Sequence, residues 1–377
     1  MGAGGPLRIG IISPYSLSVP GGVQAQVLGL ARELRRQGHE ARVLGPCDGP
    51  PPEPFVTPLG NSLPTAANGS IAPLAPDASA ALRTIRALRD EQFDVIHVHE
   101  PLAPGPPMTT LVMGGAPIVG TFHAAGMSTS YRVFKSVLGR MLRRIDVKVV
   151  VSKDAKELVE SHFPQHGGGI RMLFNGVDIA TIAAAAPVRA SGPTVFFCGR
   201  HEQRKGLAVL LDAFAKLPAD ARLWIASDGP DSAALRSRFG GDDRVSWLGR
   251  IDDAEKFGRL RGASVFCAPS LHGESFGVVL IEAMAAQTAV VASAIDGYRN
   301  VATDGVNALL VEPGDATALS RALARALTDT ALATRLRTAG AARAEDFSMT
   351  KLVAEYVAIY REVVSRRLSA QTSDRGA

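Results

Sequence analysis

Two carboxylates and two cations carry the chemistry that this sequence suggests. Glu274 and Glu282 lie in the segment His272-Gly273-Glu274-Ser275-Phe276-Gly277-Val278-Val279-Leu280-Ile281-Glu282-Ala283-Met284-Ala285-Ala286. Ahead of it runs Ser264-Val265-Phe266-Cys267-Ala268-Pro269, short and apolar, which reads as a buried parallel strand. From Gly277 on the residues fit a helix, so Glu274 falls at a strand-to-helix turn with Ser275, Phe276 and Gly277 at the helix's N-terminal edge. Free backbone N–H groups and the positive dipole end at such an edge suit a phosphate. Along a helix axis, carboxylates eight residues apart are separated by roughly 12 Å. That is the span from the sugar of a nucleoside diphosphate sugar to its ribose. Glu274 is then placed to hold sugar hydroxyls and Glu282 to accept from the ribose diol. Taken alone, the pair also fits a carboxylate favouring a helix dipole and a solvated helix residue, although Glu282 stands in an apolar run that suits a solvated face poorly.

The cations come after the strand at 194–198, in Gly199-Arg200-His201-Glu202-Gln203-Arg204-Lys205-Gly206, with a helix opening near Leu207. A pyrophosphate gains charge as its bond to a sugar breaks, and fixed Arg and Lys side chains act most strongly where that charge develops. Arg200 and Lys205 are the candidates; a solvated turn is the plainer alternative. His123 ends the strand Pro117 to Phe122, the place where sites fall in open parallel sheets, although a lone histidine is more often structural. The loop Val19-Pro20-Gly21-Gly22-Val23-Gln24 joins the strand Arg8 to Ser13 to a helix ending near Gln37. Its paired glycines allow a backbone to approach a ligand, or simply make a tight turn. The third glycine of a dinucleotide fingerprint is missing, which weakens a nicotinamide reading.

The chain of 377 residues is long enough for two domains with cores of their own. Hydrophobic residues make up 46% and charged ones 20%, an ordinary soluble composition. Cys47, Cys198 and Cys267 are widely spaced and read as reduced core residues, without metal-ligand spacing. No metal or cofactor is expected. The start, Met1-Gly2-Ala3-Gly4-Gly5-Pro6, lacks the pattern of a signal peptide. Residues 101–131 lack charged side chains but hold Pro101, Pro104, Pro106, Pro107 and Pro117, which excludes a membrane span. The cytoplasm is the expected compartment. A net charge of +5 with 6% aromatics and no basic–aromatic interleaving argues against nucleic acid. Oligomeric state is not legible.

Strands alternate with helices in two runs, which predicts an α/β protein of two doubly wound, Rossmann-like parallel-sheet domains. In the first run, strands are expected at 41–45, 94–99, 117–122, 146–151 and 171–174, with a Pro- and Gly-rich loop to about residue 76. An amphipathic helix at 130–145 either packs on the core or touches an anionic membrane. The second run has strands at 194–198, 222–227, 244–248, 264–268, 289–293 and 308–311. Ala-rich residues from 179, then Pro187 and Ser191-Gly192-Pro193, read as the linker. The expected domains are 1–185 and 193–348, with a closing helix at 349–368 and a disordered tail beyond it.

Glu-Ser-Phe-Gly followed by a second Glu resembles the motif of the retaining family 4 glycosyltransferases of GT-B architecture, whose two domains face a central cleft. The likeness runs nearly end to end, and points within that family to the phosphatidylinositol mannosyltransferases of actinobacteria. It rests on Pro14-Tyr15-Ser16, Pro20-Gly21-Gly22-Val23-Gln24, His97-x-His99-Glu100-Pro101, Thr121-Phe122-His123, Asn175-Gly176-Val177-Asp178 and the segment from Gly273 to Ala286. The resemblance implies GDP-mannose as donor and a membrane phosphatidylinositol as acceptor, with peripheral attachment at the inner face of the cell membrane through a basic surface. It implies that Arg200 and Lys205 bind the pyrophosphate, Gly22 approaches it, and His123 contacts the sugar or its developing positive charge. Tyr15, Gln24 and Asn68 would border the acceptor, and Ile251, Asp253 and Lys256 would meet the base. The closing helix would pack back on the first domain.

The departures gather on the acceptor side. Leu102 stands where the family commonly has Asn, and Ala124 and Ala125 follow His123 where a Thr is usual. Around Asn68-Gly69-Ser70, Ala67 and Pro73 replace a typical Tyr and Arg. The helix that engages lipid in the family carries only Arg83, Arg86 and Arg89 here. Other readings are a UDP-sugar donor or soluble acceptor, a sugar-nucleotide epimerase of the same architecture, and a non-catalytic nucleotide-binding module.

Overall fold

The structure, a computed structural model, describes residues 5–19, 21–67, 70–123, 135–274 and 276–375. It separates into two compact units, Met1–Gly176 with Met349–Ala377, and Val177–Ser348. Each is organised by a parallel sheet.

In the first unit the strands are β1 (Arg8–Ile12), β2 (Glu40–Gly45), β3 (Val56–Pro58), β4 (Leu63–Ala67), β5 (Ser70–Leu74), β6 (Val95–His99), β7 (Ile118–Phe122), β8 (Val147–Val150) and β9 (Arg171–Met172). Seven of them form a sheet in the order β3-β2-β1-β6-β7-β8-β9. Strands covered on both faces must be apolar on both, and β6 and β7 are buried at every position. The period of two divides them: Ile9, Ile11, Val43 and Val119 join one core, and Ile12, Leu44, Ile96 and Val98 the other. Met349, Val353, Tyr356, Val357, Tyr360 and Val363 of the last helix complete the first of these cores.

The second unit holds β10 (Thr194–Cys198), β11 (Arg222–Ala226), β12 (Val245–Gly249), β13 (Val265–Ala268), β14 (Ala289–Ser293) and β15 (Leu309–Val311). Their order is β12-β11-β10-β13-β14-β15, all parallel. The order reverses between β10 and β13. That crevice at the carboxyl ends of an open sheet is where ligands bind.

Several elements differ from the sequence expectation. The Pro- and Gly-rich stretch contains β3 and the antiparallel hairpin β4–β5, in which Pro64 stands opposite Pro73. A two-stranded ribbon tolerates prolines whose missing N–H would break an inner strand. Residues Pro106–Met113 form a helix, with both leading prolines in its first turn, where no N–H is needed. The last helix runs Met349–Arg375, past the expected end at 368, because no Gly or Pro interrupts it before Gly376. Of the helix expected at 130–145, Lys135–Leu142 is helical and 130–134 lie outside the described residues. The units divide at Gly176 and Val177, ahead of the expected linker, whose first part is the helix Ile179–Ala184. The Gln26 amide fixes the end of the first unit, donating to Gly176 O at 2.7 Å and accepting from its N–H at 2.9 Å.

Candidate active site

Lys205 and Glu274 leave the sheet from β10 and β13, the two strands at the switch point of the second unit. The turn that brings Lys205 round ends at Gly206, with φ +69°, and a Cβ there would stand 1.9 Å from Pro269 O. Only glycine accepts both the left-handed backbone and that approach. Leu271 N then donates to Arg204 O at 2.7 Å, tying the two loops together.

Glu274 is held by three donors on a single oxygen. Lys205 Nζ lies 2.5 Å from Oε1, Arg204 Nη1 3.3 Å and Ser270 Oγ 3.2 Å. Among the described residues nothing occupies Oε2. Ser270 has one proton and gives it to Glu274, so the Tyr298 hydroxyl, 2.8 Å away, donates to Ser270. Burial, and then the Glu274 charge, push the Tyr298 phenol above its ordinary pKa and keep it a donor. The result is a carboxylate with one oxygen clamped, beside two cations. Arg200 is half exposed and among the described residues approaches only Glu202, at 3.7 Å.

Lys256 organises the second carboxylate, reaching Glu282 at 2.9 Å and Asp253 at 3.0 Å. Burial opposes the ammonium charge, but Glu282 and then Asp253 outweigh it and hold its pKa above the usual lysine value. Asp253 is largely exposed in the first turn of the helix Asp253–Gly262, and Ile251 lies half-buried in the loop after β12. The helix carrying Glu282 starts only at Val278. Glu274 thus lies ahead of the helix, as the sequence places it, with Gly277 at φ +91° just before the first helical residue; the helical rise applies only from Val278 on. Phe276 is a core residue packed edge-on against Phe347, so its ring is not offered to a ligand. Ser275 lies outside the described residues.

In the first unit Tyr15, Glu100 and His123 follow β1, β6 and β7. Burial raises the Tyr15 phenol, with Glu100 adding to it. Glu100, at φ +44°, accepts from the His123 N–H at 2.5 Å. Gln24 is buried and donates to Ser16 O at 3.3 Å, so it serves its own loop. Gly22 opens the helix Gly22–Arg36, which has no side-chain cap and no acid in its first turn, leaving its N–H groups for an anion. Leu102 is a core residue, 4% exposed, and supplies packing instead of a polar contact. Pro20, Asn68, Gly69, Ala124 and Ala125 lie outside the described residues.

His123 Nε2 meets His99 Nδ1 at 2.8 Å, and the other nitrogen of His99 is buried without a partner among the described residues. An unpaired lone pair there costs less than an unpaired N–H, so His99 donates through Nδ1 and His123 carries its proton on Nδ1. His97 lies between the Tyr360 hydroxyl and Thr121 Oγ, each at 2.7 Å. Burial lowers the pKa of His97 to about 3 and of His123 to about 4, and holds His99 well below its usual value. In the unfolded chain these rings titrate near pH 6.5. As pH falls below that value the unfolded chain takes up protons that the folded one refuses, so stability present above pH 6.5 is lost. The urea midpoint should be lower at about pH 5.5 than at pH 7, before most carboxylates titrate. An equal midpoint would contradict a neutral histidine cluster.

Arg204, Ser270, Tyr298 and Gly297 were not singled out by sequence reasoning. Arg204 stood in the cationic run beside Lys205, and only the fold shows that both reach Glu274. Ser270 and Tyr298 carry no motif signal. Among the described residues there is no group of three or more His, Cys, Asp or Glu able to hold a metal, and no helix long and apolar enough to cross a membrane.

Comparison with known proteins fits this geometry. Residues 20–181 match the family model "Glycosyltransferase Family 4" and residues 192–329 match "Glycosyl transferases group 1". A phosphatidyl-myo-inositol mannosyltransferase of Mycobacterium leprae is 38% identical over 97% of this chain and 100% of its own. One from Mycolicibacterium smegmatis is 37% identical, covering 97% of each. A glycosyltransferase structure from Rickettsia africae superposes with a TM-score of 0.73 at 18% identity, over 95% of this chain and 99% of that one, which speaks to fold alone. This chain is a glycosyltransferase of family 4 with the GT-B fold, and it belongs with the phosphatidyl-myo-inositol mannosyltransferases.

Proposed function

We propose that the enzyme transfers mannose from GDP-mannose to the inositol ring of phosphatidylinositol, with retention of anomeric configuration. The observation that supports the donor half is the Glu274 carboxylate, fixed through Oε1 by Lys205, Arg204 and Ser270; its Oε2 would accept from a sugar hydroxyl. Lys205, Arg204 and the exposed Arg200 would bind the pyrophosphate and neutralise the charge it gains on leaving. Glu282, oriented by Lys256, would accept from the ribose diol, with Ile251 and Asp253 toward the base. The mannosyl and phosphatidylinositol assignments come from the relatives named above.

In this reading the acceptor oxygen attacks the anomeric carbon on the face the phosphate leaves, and its proton passes to a phosphate oxygen. His123 would donate through Nδ1 to a sugar oxygen, and Glu100 accepts from its backbone N–H. Membrane contact would come through the helix Ala78–Glu91, which exposes Arg83, Arg86 and Arg89 around Leu82, itself 67% exposed. The enzyme would then sit peripherally at the inner face of the cell membrane.

A donor panel tests the assignment. With phosphatidylinositol vesicles present, GDP release from GDP-mannose should exceed UDP release from UDP-glucose at least about tenfold, which is 1.4 kcal/mol in transition-state binding. Proton NMR of the product should show an α-mannosyl linkage. Faster turnover of the UDP-sugar, or a β-linkage, would overturn the donor or the stereochemistry. Consumption of GDP-mannose without acceptor, yielding a second nucleotide sugar, would point to an epimerase.

A further inference from the structure

The helix Lys135–Leu142 of the first unit carries a notch. Lys135, Gly139 and Arg143 recur at intervals of four, so they share one face, with Arg143 just past the helix end. His166 faces Gly139, its Nε2 3.4 Å from the point a Cβ there would occupy, an ordinary van der Waals distance. Both residues line a cavity of about 270 Å³, together with Phe163, Ser136 and Gln165.

The electrostatics of this cavity are one-sided. Lys135 and Arg143 are exposed on its rim and have no ion-pair partner among the described residues. No carboxylate lines it; the nearby Glu160 is turned to Lys156, at 3.5 Å. Partial burial holds the His166 pKa below its ordinary value, and the Lys148 and Arg143 charges add to that. Lys148 is itself lowered by burial in β8. Three basic side chains, Lys135, Arg143 and His166, thus line one concavity that no carboxylate lines among the described residues.

We propose that the notch formed by Lys135, Gly139, Arg143 and His166 binds a phosphate-bearing group. The two rim cations would flank its oxygens, with charge-assisted hydrogen bonds from Arg143 and Lys135, and the imidazole N–H would donate from the floor. The phenyl and pyrrolidine walls of Phe163 and Pro164 leave room for a carbon-bearing ester. The group is either the head of an anionic lipid or a soluble phosphate. It is separate from the pyrophosphate site, which uses Lys205 of the other unit.

The test reads His166 directly, so that phosphate bound elsewhere does not register. In protein labelled at histidine, with the signal assigned by His166→Gln, inorganic phosphate should shift the His166 ring resonances and raise its pKa. In the Lys135→Ala/Arg143→Ala double variant, which alters only exposed side chains, phosphate should bind about tenfold more weakly. Chloride at equal ionic strength should not shift the signal. Sedimentation with vesicles identifies the source. Retention on phosphatidylinositol vesicles that falls about fivefold in the double variant, and is absent on phosphatidylcholine, assigns a lipid head; equal retention assigns a soluble phosphate. A His166 signal that phosphate does not move, or moves equally in wild type and variant, overturns the site.

Discussion

Lys205→Ala is expected to lower kcat about a hundredfold or more, the range seen when one fixed donor to developing charge is removed. Lys205 Nζ is only partly exposed, 2.5 Å from Glu274 Oε1, and it is delivered by a turn that only Gly206 permits. Its position costs no reorganisation when a phosphate leaves nearby. The loss should fall on kcat more than on KM, because the charge it meets develops in the transition state. Arg204 and Ser270 still hold Glu274 in the variant, so the carboxylate stays in place. Folding should survive the loss, since Arg204 and Ser270 still compensate the largely buried Glu274 charge. Steady-state kinetics beside a melting curve check both parts. Wild-type kcat would remove Lys205 from the chemistry, and a collapse of melting temperature would make its role structural.

The second large effect comes from a residue that touches no ligand. A Cβ on Gly297 would stand 1.7 Å from Glu274 O and 2.5 Å from its carbonyl carbon. Both are backbone atoms, so Gly297→Ala must push the Glu274 backbone or the helix Asp296–Arg299 aside by about 1 Å. Misplacement on that scale costs about a hundredfold in rate. The shift would also separate Tyr298, Ser270 and Glu274, whose hydrogen bonds at 2.8 and 3.2 Å orient the carboxylate. Turnover is expected to fall about a hundredfold with the protein still folded, seen as retained far-UV circular dichroism and a moderately lower melting temperature. Full activity in Gly297→Ala would mean that the position of Glu274 is not critical.

The two parallel sheets were legible because buried parallel strands are written as unbroken apolar runs, such as Thr194–Cys198 and Ile118–Phe122. The start of the Glu282 helix just after Gly277, with Glu274 ahead of it, was legible because the apolar run begins there. Lys205 and Glu274 were each legible as site candidates through motif chemistry, but their ion pair, across 69 residues, was shown only by the fold. What escaped was written against local propensity or only in three dimensions. Pro64 and Pro73 sit in a hairpin, and Pro106 with Pro107 starts a helix, where a reading of proline as a breaker finds loops. Gln24 has a plain polar identity in sequence, yet it is buried and bonded to Ser16 O. The interlock of Gln26 with Gly176 depends on residues 150 apart and has no local mark at all.

The measurement closest to the central claim is mass spectrometry of lipids from phosphatidylinositol vesicles incubated with GDP-mannose, using wild type and Glu274→Ala side by side. A phosphatidylinositol heavier by one hexose with wild type, and reduced at least about tenfold with the variant, is the predicted result. Equal mannolipid from both proteins would contradict the role given to the clamped carboxylate. GDP release without a mannolipid would contradict phosphatidylinositol as acceptor.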